Sequence, residues 1–132
     1  MKEKIDIRVL IVDDMALTRE MVRHIVLDLG FAHIATASNG AAALKIIREQ
    51  EVGLVICDWM MPEMNGIELL QAVRKEERFK KLPFLMLTAE AYRENIAEAV
   101  YAGVTEFVSK PFTADILGKK IQVALGIAIK KS

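Results

Sequence analysis

The chain has 132 residues, 53% of them hydrophobic and 27% charged, and its 18 Lys+Arg balance its 18 Asp+Glu to a formal net charge of +0. That length fits one domain with a real core, and the charge balance excludes a global pull toward nucleic acid or an anionic membrane. The lone Cys57 cannot close an internal disulfide, no signal-type apolar region follows Met1-Lys2-Glu3-Lys4, and no run nears the roughly 18 apolar residues of a membrane helix, so the expectation is a cytoplasmic protein with no membrane insertion and no nucleic-acid partner.

Strand-like and helix-like segments alternate five times. Arg8 to Asp13 reads as a first strand around Val9-Leu10-Ile11-Val12. A helix from Ala16 to Leu29 sets Leu17, Met21, Val22, Ile25 and Leu29 on one face, and Gly30 ends it where a left-handed residue is often needed. His33 to Ala37 is a short second strand, and Asn39-Gly40 turns into an alanine-rich helix ending near Gln50. Leu54 to Asp58 is apolar on both faces and so reads as the central strand. After a Pro62–Gly66 loop, a helix runs from Ile67 to Glu76. Pro83 opens a fourth strand that closes at Thr88. A helix from Arg93 to Ala102 stops at Gly103, Glu106 to Ser109 is the fifth strand, and Thr113 caps a last helix from Ala114 to Leu125. The spacing predicts an α/β fold, a doubly wound parallel sheet with helices on both faces, and a single domain over 1-132 without a linker.

Four apolar runs end abruptly in polar groups: Asp13-Asp14, Asp58, Thr88 and Lys110-Pro111. That is how buried parallel strands look when their carboxyl ends open on a functional crevice. At about 4 Å and an effective dielectric near 20, two carboxylates repel by roughly 4 kcal/mol, so three left together would destabilise the fold or take up protons. A hard divalent cation reverses that sign, and Mg²⁺ suits a carboxylate set that leaves room for water and phosphate oxygens. His24, His33 and Cys57 are scattered, which makes zinc improbable. Asp58, alone at the end of the central strand, is the candidate nucleophile for an acyl phosphate. Asp13 and Asp14 are better placed as metal ligands, Lys110 supplies a cation to the transferring group, and Thr88 offers a hydroxyl at the same level. Cys57 reads as buried rather than reactive, and Trp59 as a neighbour able to report Mg²⁺ or phosphoryl binding.

These residues carry a resemblance. Val9-Leu10-Ile11-Val12-Asp13-Asp14, Asp58-Trp59-Met60-Met61-Pro62-Glu63-Met64-Asn65-Gly66, Leu87-Thr88-Ala89-Glu90-Ala91, Ala102-Gly103 and Lys110-Pro111-Phe112 make the chain resemble the receiver domains of two-component response regulators from Arg8 to Leu125. The resemblance implies a five-stranded, flavodoxin-like sheet in the order 2-1-3-4-5, for which this family is itself a familiar example. Alternation of strands and helices does not set that order; only the resemblance implies it. It also implies that Asp58 takes a phosphoryl group from a sensor histidine kinase, that Asp14 binds Mg²⁺ directly and Asp13 largely through water, and that the Met60 carbonyl is a further ligand. It implies that Lys110 contacts the phosphoryl oxygens and that Thr88 and Phe107 form a switch. A partner surface would include Tyr92, Ile96, Phe107 and Lys120. Downstream it implies a protein target such as a flagellar motor or chemotaxis component, with a phosphatase as a further partner. Self-dephosphorylation would make the protein a switch rather than a turnover enzyme.

Three positions depart from the family's pattern: Phe107 replaces a Tyr and Met60 an Asn of its stand-alone chemotaxis members, where that second side chain borders the attacking water, and Ala42 stands where many receivers carry Glu. The helix carrying Tyr92, Ile96, Ala97, Ala99, Val100 and Tyr101 is apolar over much of its circumference and can offer surface to a partner. Competing readings are weaker. A phosphate sink or a receiver cut from a larger regulator shares the same chemistry. An aspartyl-nucleophile phosphatase needs an acid/base two residues after Asp58, where Met60 cannot transfer protons. A nucleotide or flavin domain lacks its glycine-rich loop after the first strand.

Overall fold

The computed structural model describes residues 5–89 and 96–129. Strands β1 (Ile5–Val12), β2 (Phe31–Ala37), β3 (Leu54–Asp58), β4 (Phe84–Ala89) and β5 (Glu106–Lys110) pair in parallel in the order β2-β1-β3-β4-β5. Helices α1 (Ala16–Asp28), α2 (Gly40–Glu49), α3 (Gly66–Lys75), α4 (Ile96–Ala102) and α5 (Ala114–Leu125) alternate with them. The expected fold class and strand order hold.

Side-chain alternation in β3 explains the layers. Val55 and Cys57 join a core with Ala43 and Ile47 of α2, Leu69, Leu70 and Val73 of α3, and Ala99 of α4. Leu54 and Ile56 join the opposite core with Val22 and Val26 of α1 and Leu117 and Ile121 of α5. All five β3 residues are buried, as a strand covered on both faces must be.

The differences lie at element ends and on α1, where Leu17 and Met21 of the expected apolar face are exposed and Val26 is buried with Val22. β1 begins at Ile5 because its N–H donates to the Gly30 carbonyl at 2.7 Å, and Ile5 and Ile7 pack against the α1–α5 side. α3 starts at Gly66, one residue before expectation. The Asn65 side chain accepts the Glu68 N–H at 2.9 Å while the Asn65 N–H donates to Glu68 Oε1 at 3.1 Å, closing a capping box. The 3₁₀ turn at Glu77–Phe79 has no counterpart in the sequence reading; its run of charges has no periodicity to betray it. Arg93, where the fourth helix is expected to begin, lies outside the described residues. Gly30 has φ 107°, as its place after α1 predicts, and Thr113 Oγ1 accepts the Ile116 N–H at 3.2 Å.

Candidate functional site

The register brings the carboxyl ends of four strands together. Val12 pairs with Cys57, Asp58 with Leu87, and Thr88 and Ala89 with Ser109 and Lys110. The backbone just beyond is also fixed: Asp13 N–H donates to the Ala37 carbonyl at 3.1 Å and Trp59 N–H to the Leu87 carbonyl at 2.9 Å. Gly66 is needed for the return of the chain, since a Cβ there would lie 2.8 Å from the Asp58 carbonyl oxygen and 2.6 Å from Met86 Sδ.

One oxygen each from Asp13, Asp14 and Asp58 lies within 4.8 Å of the others. Asp13 and Asp58 are buried and Asp14 is exposed. Asp58 Oδ1 accepts from Lys110 Nζ at 2.6 Å, a charge-assisted bond. Asp13 Oδ1 accepts the Met15 N–H at 2.9 Å, but Asp13 Oδ2 is buried without a protein partner. Burial pushes the Asp13 carboxyl above its ordinary range; the Met15 N–H and Lys110 oppose this, and the charges of Asp58 and Asp14 add to it. Arg19 donates to the Asp13 carbonyl at 2.8 Å and steadies the backbone there.

These donors fit a hard divalent cation. They are all oxygens, they gather like charge, and one buried oxygen lacks the positive partner that burial demands. His33 is paired instead with Asp6 and His24 with Glu20. Cys57 is fully buried, its thiol is pushed well up by burial, and it donates to the Asp58 carbonyl at 3.2 Å.

Thr88 is fully buried and its Oγ1 donates to the Ala89 carbonyl at 3.1 Å. Phe107 is half-buried against the α2–α3–α4 core, with Lys120 Nζ 5.9 Å from its ring centroid and 3.0 Å from Glu106 Oε1. Ile96 is half-buried, and Tyr92 lies outside the described residues. In α4, Ala99 is buried while Val100 and Tyr101 are exposed, so part of this helix's apolar surface faces outward. Met60 is exposed, Trp59 is buried, and the Lys110–Pro111 bond is cis. Sequence reasoning passes over Arg19 and Glu63, the latter exposed at φ 69° in the loop after β3; a lone cation on a helix and a lone acid in a loop give no signal.

The family described as "Response regulator receiver domain" matches residues 9–122. The chain is 47% identical over 115 residues to the chemotaxis protein CheY of Pseudomonas aeruginosa, covering 87% of this chain and 93% of that protein. It is 44% identical over 116 residues to chemotaxis protein CheY-3 of Vibrio cholerae, covering 88% and 89%. The solved structure of Vibrio cholerae CheY4 superposes with a TM-score of 0.85 at 36% identity, over 92% of this chain and 100% of that one.

Proposed function

The chain belongs to the response regulator receiver domain family, a family of phosphorylation-activated signalling switches, and from that premise we propose that Asp58 is the phosphoacceptor, served by Asp13, Asp14, Thr88 and Lys110. The observation that carries this reading is the 2.6 Å contact between Lys110 Nζ and Asp58 Oδ1 inside a cluster of three carboxylates. A carboxylate oxygen of Asp58 attacks phosphorus, the P–O bond forms as the P–N bond of a phosphohistidine breaks, and the imidazole leaves on the sensor kinase. Lys110, already oriented, neutralises charge on the transferred group. Asp13, Asp14, Asp58 and the Met60 carbonyl would hold Mg²⁺, which when bound supplies the positive charge that lets three carboxylates and an incoming phosphoryl group share one pocket.

Thr88 then reorients its hydroxyl toward the phosphoryl oxygens, giving up the Ala89 carbonyl, and Phe107 turns inward from its half-buried position. With the Phe107 ring lacking a hydroxyl, packing alone drives this step. The surface formed by Ile96, Phe107 and Lys120, with Tyr92, changes its affinity for a downstream protein. The chemotaxis names of the relatives support a flagellar motor switch or chemotaxis component as that target. Water attack on the acyl phosphate resets the switch, so chemistry is self-directed rather than a turnover of substrate.

Intact-mass measurement with acetyl phosphate and Mg²⁺ tests the assignment. One phosphoryl group should add to the parent chain and none to Asp58→Ala; undiminished labelling of the variant at another residue refutes it.

A further inference from the structure

The loop between β3 and α3 is closed at its base, where Gly66 N–H donates to the Trp59 carbonyl at 2.9 Å. Inside it Glu63 has φ 69°, and Met64 N–H donates to the Pro62 carbonyl at 2.9 Å. A bond from i to i+2 around a residue of positive φ makes a rare and strained three-residue turn. A residue with a Cβ stays in it only where its surroundings impose it.

The surroundings are identifiable. The Met64 side chain lies over Gly40, the first residue of α2. A Cβ on Gly40 would sit 2.5 Å from Met64 Sδ, 2.8 Å from its Cγ and 2.9 Å from its Cβ. The last distance matters most, because no side-chain rotation moves Met64 Cβ; only the loop backbone can. Met64 also packs against the core that holds Met61 and Ala43.

We propose that Met64 seated on Gly40 is a positioning contact for the phosphoacceptor site: it holds the loop with Glu63 in its left-handed turn and so fixes the Met60 backbone relative to Asp13, Asp14 and Asp58. This rests on the reading of those carboxylates as a Mg²⁺ site. Neither Gly40 nor Met64 belongs to the cluster, so their effect on affinity runs through the loop alone.

A Mg²⁺ titration of the full chain, followed by Trp59 emission and paired with thermal melts, tests the seat. Gly40→Ala should bind Mg²⁺ about tenfold more weakly, the low end of what supporting contacts around a metal contribute. Met64→Ala, which empties the seat without a clash, should also weaken binding by about tenfold, and it decides the matter if Gly40→Ala does not fold. Gly118→Ala, whose Cβ would meet Leu29 Cδ2 at 3.2 Å on the other side of the sheet, controls for crowding elsewhere and should match the parent. A parent that binds Mg²⁺ while Met64→Ala binds it equally well overturns the seat alone. A parent without any Mg²⁺ response overturns the metal reading and the seat together.

Discussion

Asp13 is buried with one oxygen unpartnered, and burial raises its pKa above the ordinary value of 3.8. Without metal, the folded chain therefore holds this proton more tightly than the unfolded chain does. Stability contributed by Asp13 rises as pH falls through its folded-state pKa and is complete below 3.8, where both states are protonated. Above that window the ionised form works against folding. Asp13→Asn should then melt a few degrees higher than the parent near neutral pH in EDTA, and this advantage should shrink on acidification toward pH 4. Comparison with the variant matters, because Glu76, held low by its bond to Arg48, contributes the opposite slope in both proteins. Melts that differ equally at every pH would refute the assignment. At this scale the sequence is legible only in part. It presents Asp13 and Asp14 as a pair, yet the fold buries one and exposes the other. That difference depends on the Met15 turn and the Ala37 carbonyl, which no spacing reveals.

The elements are legible where the apolar pattern is plain, as in the unbroken run of β3, and obscure where contacts are distant in sequence. Arg74 is the clearest case. In α3 it looks like its neighbour Lys75, one more cation on an amphipathic helix. In the fold its Nε donates to the Gly103 carbonyl at 3.0 Å, and its guanidinium also reaches the Phe79 carbonyl at 2.8 Å and Thr105 Oγ1 at 3.5 Å. Thr105 in turn is locked to Phe84: its side chain accepts the Phe84 N–H and its own N–H donates to the Phe84 carbonyl, both at 2.9 Å. One side chain thus ties α3 to the turn after it and to the junction of α4 and β5. Arg74→Leu would strip partners from two carbonyls and should cost about 1–3 kcal/mol in urea denaturation. Amide exchange should quicken around Gly103–Thr105 more than in α5. Unchanged exchange at that junction would show that the tie is decorative.

For the whole molecule, alternation predicts a parallel sheet covered on both faces, while the order β2-β1-β3-β4-β5 comes from family resemblance. That order sets β1 and β4 on either side of β3, with β5 beyond β4, and so assembles Asp13, Asp58, Thr88 and Lys110 from segments spread along the chain, the hydrogen-bonded Asp58–Lys110 pair alone spanning 52 positions. Such a site sets the requirements of the fold against those of function. Like charge gathered at one end of the sheet destabilises the empty protein, and a cation bound only by the folded state returns that stability by mass action. At about 100 times the dissociation constant the gain is roughly 2.7 kcal/mol. Asp14→Asn removes one repelling charge and one proposed ligand together. The variant should melt higher than the parent in EDTA and lower in saturating Mg²⁺, so melting temperature plotted against Mg²⁺ concentration should give two curves that cross. Calorimetry across a Mg²⁺ series measures this directly. If the variant lies on the same side of the parent at every concentration, Asp14 is either no ligand or no source of repulsion, and the balance between folding and metal binding does not rest on it.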